Sequence, residues 1–78
     1  MKNYMVVENF KANKYDAVYE RYAEKGRMLP DGLFYVDSWT SRSANRCYQL
    51  MKTDDHSLFA TWIESWSDLV DFDVIEID

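Results

Sequence analysis

The residues of this sequence best suited to chemistry are two carboxylates and one amide, Glu8, Asp37 and Gln49. Each lies in a stretch that is rich in apolar and aromatic residues. A carboxylate in apolar surroundings has a raised pKa and can remove a proton from an acidic carbon or a phenol. A glutamine amide can orient a ligand carbonyl. We therefore expect all three side chains to contact a ligand, and Glu8 and Asp37 are the candidates for a general base.

Each of these residues also has a purely structural interpretation. Glu8 lies near the end of a predicted strand, where it could be solvated or paired with an arginine of a second chain. Asp37 could cap the backbone or form a cross-strand pair with Arg46, and Gln49 could donate a hydrogen bond across a dimer interface. The sequence leaves both interpretations open for each residue.

Cysteine and histidine offer little further chemistry. Cys47 is the only cysteine and has no neighbouring histidine, so we expect a buried, inert thiol and no intramolecular disulfide. His56 is the only histidine and follows Asp54 and Asp55 at the start of a predicted helix, where it should be exposed. We therefore expect no metal site, no haem and no other cofactor.

Four stretches have the β-branched and aromatic content of strands, and they must position the candidate residues. Polar segments separate them, including a predicted hairpin connection at 41–45 and a loop at 26–32 that contains Pro30 and Gly32. The predicted strands are residues 4–10, 33–40, 46–52 and 72–77.

Two further stretches carry apolar residues at the spacing of an amphipathic helix. The first has Asn13 as its predicted N-cap and ends near Lys25, before Gly26. The second begins after Thr53, Asp54 and Asp55 and runs from 58 to 66. Trp62 and Trp66 belong to its apolar stripe and are expected in the core.

The predicted element order is β-α-β-β-α-β within a single domain of residues 1–78. Right-handed crossovers around the middle hairpin then give an α+β, ferredoxin-like arrangement. This arrangement has a four-stranded antiparallel sheet with two helices on one face. The other face of the sheet has no cover.

The strands carry apolar residues on both of their sides, which is unusual for an antiparallel sheet with one solvated face. A second copy of the chain, packed sheet to sheet, would cover the second face. We therefore predict a homodimer with a ligand cavity between its two sheets. The predicted lining of that cavity is Glu8, Asp37 and Gln49, with Tyr35, Trp39 and Cys47 as its walls.

Composition excludes several other partners. Nine basic residues against fourteen acidic ones give a net charge of −5, which opposes binding to nucleic acid or to an anionic membrane. The strand at 46–52 lacks the basic, aromatic pattern of RNA-recognition domains. The single cysteine indicates a reducing compartment, and no apolar run reaches the length of a membrane span or a signal peptide, so we expect a cytoplasmic protein.

Several blocks of the sequence resemble a small bacterial family of domains of unknown function, which belongs or lies close to the dimeric α/β-barrel superfamily. The resemblance runs nearly from end to end and implies dimerisation through the sheets. The blocks that carry it are GRMLP (26–30), GL (32–33), YVDSW (35–39), CYQLM (47–51), TDD (53–55) and WSDLVDF (66–72).

The superfamily contains cofactor-independent monooxygenases, lactone isomerases, haem enzymes and ligand-binding regulatory domains, so the resemblance implies no single activity. Three functions stay open at this point. The first is a homodimer that binds a small aromatic or amphipathic molecule. The second is a cofactor-independent isomerase or monooxygenase with Glu8 or Asp37 as the base. The third is a protein interaction module without a ligand.

Overall fold

The computed structural model describes residues 1–77 as six elements in the order β-α-β-β-α-β. Every predicted element is therefore present. Their bounds are β1 (Lys2–Phe10), α1 (Tyr15–Lys25), β2 (Leu33–Ser41), β3 (Arg46–Thr53), α2 (Leu58–Glu64) and β4 (Val70–Ile77).

The four strands form one sheet in the order β2-β3-β1-β4, and every neighbouring pair is antiparallel. Because β1 and β3 are central, the two β-α-β halves interlock rather than lie side by side. Both helices cover the same face of the sheet. The predicted ferredoxin-like α+β fold is therefore confirmed.

The core lies between the helices and the covered face of the sheet. Alternate residues of β1 point into it, and Val6 and Phe10 are buried there. The helices contribute Val18, Phe59 and Trp62 to the same core. Because side chains alternate along a strand, the residues between these positions in β1 face away from the helices.

The ends of the helices differ from the prediction. Asn13 is not the N-cap of α1, because it adopts a left-handed conformation with φ 62°, which asparagine tolerates, and the helix begins two residues later. Helix α2 ends at Glu64, so Trp66 lies in the following turn. None of the helices within residues 1–77 is long and apolar enough to span a membrane.

Two glycines bound the segment that joins α1 to β2, and both have positive φ. Gly26 ends α1 at φ 67°, and its N–H donates to the Tyr22 carbonyl. Gly32 has φ 95°, and a Cβ built there would lie 3.1 Å from Cδ1 of Leu58. A side chain at Gly26 would meet no atom within 4 Å.

We expect Gly26→Ala to destabilise the protein by about 1 kcal/mol, because an L-residue is strained at positive φ. Gly32→Ala should cost more, about 2 kcal/mol, because the same strain is joined by the contact with Leu58. Urea unfolding of the two variants and the wild type measures the difference. Equal losses for the two variants would contradict the role assigned to the Leu58 contact.

Candidate functional site

A partly open cavity of about 240 Å³ lies within the single chain, between the covered face of the sheet and the two helices. One wall comes from β1, β2 and β3, and the opposite wall comes from α1 and the two buried tryptophans. Its polar lining consists of Glu8, Arg27, Ser38, Thr40, Cys47 and Gln49, and its apolar and aromatic lining consists of Phe10, Val18, Tyr19, Tyr22, Trp62 and Trp66.

Three predicted site residues face this internal cavity, and their predicted position on the uncovered face of the sheet is wrong. Glu8 pairs with Cys47 across β1 and β3, and both side chains are buried under the helices together with that of Gln49. The physical reason is that both faces of these strands are apolar, so periodicity did not determine which face the helices cover. The structure still brings Glu8, Cys47 and Gln49 together.

The other three predicted site residues are divided by a β-bulge in β2. Tyr35 pairs with Met51, but the next regular pair is Asp37 with Leu50. One extra residue at the bulge shifts the alternation. Tyr35 therefore shares the helix-covered face with Met51, whereas Asp37 and Trp39 lie on the uncovered face and are exposed.

Asp37 lies outside the cavity and makes no pair with Arg46, contrary to the cross-strand interpretation. Its Oδ1 accepts a hydrogen bond from the backbone N–H of Ser38 at 2.8 Å. The Arg46 guanidinium instead donates to Oδ1 of Asn9 at 2.7 Å. Asp37 thus caps the backbone beside the bulge and does not line the cavity, so it cannot act there as the general base.

Glu8 is the buried acid of the cavity, with only 5% of its surface exposed. Nε2 of Gln49 donates a hydrogen bond to its Oε2. Burial raises the pKa of the Glu8 carboxyl from 4.5 to about 7, although the Gln49 hydrogen bond and the charge of Arg27 act in the opposite direction. Near neutral pH both protonation states of Glu8 are populated.

Arg27 lines the cavity but is absent from the site residues predicted from the sequence. Its Nε donates to Oε1 of Gln49 at 3.2 Å, and its Nη1 donates to the Tyr22 hydroxyl at 3.2 Å. The guanidinium carbon lies 3.6 Å from the centroid of the Tyr35 ring. Gln49 therefore connects the arginine to Glu8, with one end of its amide bonded to each.

Hydrogen bonds also fix the backbone of Arg27. The indole N–H groups of Trp62 and Trp66 both donate to the Arg27 carbonyl, at 2.9 and 3.0 Å. The two tryptophans are core residues, as predicted, and they also fix the loop that carries the arginine. An arginine next to a glycine in a loop is ordinarily solvated, so no local pattern indicated this position.

The remaining polar wall consists of neutral groups. The Tyr19 hydroxyl lies 2.7 Å from Oγ1 of Thr40, which donates to Sγ of Cys47 at 3.6 Å. Burial raises the pKa of the Cys47 thiol and that of the Tyr19 phenol. A raised pKa keeps Cys47 in the thiol form at neutral pH, so it is a poor nucleophile.

His56 takes no part in the cavity. It is exposed, and its ring packs against Tyr4 and Phe59 at centroid distances of 5.4 and 5.6 Å. In the part of the chain that the structure describes, no three His, Cys, Asp or Glu side chains lie close enough together to hold a metal ion.

These groups form a chemically asymmetric cavity. The buried carboxyl of Glu8 is at one end of the Gln49 amide, a permanent cation is at the other end, and aromatic rings form much of the opposite wall. Such a cavity can exchange a proton at Glu8 and can bind an acceptor or an anion at Arg27.

Comparison with known proteins gives one match. No curated protein and no solved structure matches the chain. One family does match, and it covers residues 1–76, which is nearly the whole sequence. The chain therefore belongs to the family described as Domain of unknown function (DUF3303).

Proposed function

We propose that the protein binds a small molecule in the cavity between the sheet and the helices of each chain. The observation that carries this proposal is the buried carboxyl of Glu8, which faces a cavity of about 240 Å³ and is linked through Gln49 to Arg27. A buried acid and a half-buried arginine are costly unless other groups satisfy them. Their placement on a cavity whose apolar lining is largely aromatic is typical of a ligand site.

The uncovered face of the sheet supports a second part of the proposal, a homodimer joined sheet to sheet. Large apolar side chains are exposed on this face, with Trp39 52% and Ile75 52% accessible, and Met5 and Leu50 lie half-buried at its centre. An exposed apolar surface that runs across four strands is typical of a protein–protein interaction site. Cys47, the only cysteine of the sequence, is buried, which fits the expected cytoplasmic setting.

A cofactor-independent isomerase is the second candidate function, and the pKa of Glu8 is the observation that favours it. A carboxyl that titrates at about 7 can accept a proton from an acidified carbon of the substrate and return it to another carbon. Glu8 would be the base, whereas Asp37 is too far from the cavity to share that role. This candidate requires the same ligand site.

The tryptophan indoles provide the test of the ligand site. In a ¹⁵N-labelled sample, single-ring aromatic compounds should shift the indole signals of Trp62 and Trp66, which line the cavity. The indole signal of Trp39, on the uncovered face, should stay unchanged. Shifts confined to Trp39 would place the ligand between the sheets, and the absence of any shift would favour an interaction module.

A cavity-filling variant provides the matched control for this experiment. Ser38 lines the cavity, so Ser38→Phe should abolish the shifts of Trp62 and Trp66. Ser43 lies in the exposed β2–β3 turn, so Ser43→Phe should leave them unchanged. Equal binding by the two variants would contradict the assignment of the ligand to this cavity.

A further inference from the structure

We propose that the cavity selects a compact aromatic monoanion, whose charged group is bound by the Arg27 guanidinium and by a hydrogen bond from the Glu8 carboxyl. This inference rests on the proposed function, because it names the chemical class of ligand for the same cavity. Aryl carboxylates are the simplest members of that class.

The first observation is that Arg27 has unused donors. A guanidinium has five N–H groups, and the side chain of Arg27 uses two of them, one to Gln49 and one to Tyr22. The other three have no acceptor among residues 1–77. Stacking on Tyr35 fixes the plane of the guanidinium, which is the geometry that binds a planar carboxylate through two parallel hydrogen bonds.

The second observation is that Arg27 is in direct contact with no carboxylate of residues 1–77, unlike another arginine of the same fold. Arg21 donates two hydrogen bonds of 2.7 Å to the carboxylate of Asp68, and this pair holds the pKa of Asp68 at about 2. No carboxylate of the described residues lies within 4 Å of Arg27. Of the described residues that line the cavity, Arg27 is also the only permanent cation, so an anionic ligand would supply the missing charge.

The third observation concerns the free oxygen of Glu8. Gln49 donates to Oε2, and Oε1 accepts no hydrogen bond from any residue in the range 1–77. In its protonated form the Glu8 carboxyl can donate to an anion, whereas in its ionised form it repels one. The other titratable side chains that line the cavity are those of Arg27, Tyr22, Cys47 and Tyr19, and the raised pKa values of Cys47 and Tyr19 keep these two groups neutral.

Size and wall chemistry restrict the rest of the ligand. A volume of about 240 Å³ lies just below the usual range of roughly 300–1,000 Å³ for small-molecule sites, which favours a single-ring compound. The apolar part of the wall is largely aromatic, from Phe10, Tyr19, Trp62 and Trp66. Such walls favour an aromatic ring over a flexible chain.

Calorimetric titration with three related probes tests the inference. Benzoate, benzamide and benzyl alcohol share one ring, but only benzoate is an anion. At pH 6 we expect benzoate to bind at least about 10-fold more tightly than either neutral probe, and Arg27→Gln should remove that preference. The exposed Arg42 lies outside the cavity, so Arg42→Gln should keep the preference.

The pH dependence separates the role of Glu8 from that of Arg27. From pH 6 to pH 8 the affinity for benzoate should fall about 10-fold, because the binding form requires a protonated Glu8. Glu8→Gln carries a permanent N–H donor and should bind benzoate with the same affinity at both pH values. An unchanged wild-type affinity between pH 6 and pH 8 would overturn the part assigned to Glu8.

The outcomes distinguish this inference from the proposed function. If all three probes shift the indole signals of Trp62 and Trp66 but bind with equal affinity, the cavity has no preference for an anion. The inference is then wrong, and the proposed ligand site is still supported. If Arg27→Gln binds benzoate like the wild type, the inference is likewise overturned. If none of the probes binds, the inference and the proposed small-molecule site both fail.

Discussion

Replacing Glu8 by glutamine is expected to stabilise the protein by about 2 kcal/mol at pH 8 and to change its stability little at pH 5. The folded state raises the pKa of the Glu8 carboxyl from 4.5 to about 7, because burial disfavours the ionised form. At pH 8 the wild type must therefore hold a buried negative charge. Glutamine has nearly the same shape and carries no charge.

The direction of the pH effect follows from the raised pKa. The folded protein binds the Glu8 proton more tightly than the unfolded chain, so this proton stabilises the fold fully below pH 4.5. That contribution is lost as the pH rises through about 7. Each unit of pKa corresponds to about 1.4 kcal/mol, so the loss between pH 5 and pH 8 is about 2 kcal/mol.

Urea unfolding at pH 5, 6, 7 and 8 measures this effect on the wild type and on Glu8→Gln. The exposed Glu64 provides a matched control, and Glu64→Gln should keep the slope of the wild type. The wild-type free energy of unfolding should decrease as the pH rises from 5 to 8. Its decrease should exceed that of Glu8→Gln by about 2 kcal/mol. Parallel curves for the wild type and Glu8→Gln would contradict the buried, titrating carboxyl.

A negative charge at the centre of the uncovered face is expected to dissociate the proposed homodimer. Met5 lies opposite Leu50 of β3 and Ile75 of β4, so Met5→Glu places a carboxylate among apolar side chains of both chains. Burying an unpaired charge in an interface costs several kcal/mol. We expect dimer affinity to fall at least about 100-fold, which corresponds to about 3 kcal/mol.

Sedimentation velocity at micromolar concentration measures this change. The wild type should sediment as twice the 9.3 kDa chain, and Met5→Glu should sediment as a single chain with a native circular dichroism spectrum. Ala60→Glu, on the exposed surface of α2, should stay dimeric. A wild type that sediments as a monomer would refute the sheet-to-sheet dimer, and so would a Met5→Glu variant that sediments as a dimer.

The periodicity of the sequence predicted the elements and their order because strands and helices differ in the types and spacing of their apolar residues. The strands carry β-branched and aromatic residues, and the helices carry apolar residues three and four positions apart. Gly26 and Gly32 bounded the segment after α1, as their positive φ angles explain. These signals are local, and local signals were enough to predict the ferredoxin-like fold.

The position of the cavity was not predictable, because it depends on which apolar face of the sheet the helices cover. β1 has Val6 on one side and Val7 on the other, so the residue types do not distinguish the two faces. Glu8 and Gln49 nevertheless lie close together, as predicted, because both side chains are on the same side of the sheet.

The bulge in β2 and the position of Arg27 depend on tertiary packing. A single extra residue between Tyr35 and Asp37 separates these two predicted neighbours onto opposite faces. Arg27 reaches the cavity because Trp62 and Trp66 bind its carbonyl, and these contacts join residues 35 and 39 positions apart. No local pattern carries such information.

The most direct test of this account is the titration of the Glu8 side chain itself. Carbon-13 NMR of the glutamate carboxyl groups, with Glu8 assigned by comparison with Glu8→Gln, follows each carboxyl between pH 3 and pH 9. We expect a midpoint of about 7 for Glu8. A Glu8 midpoint near the ordinary value of 4.5 would contradict the buried, proton-exchanging site on which the proposed function rests.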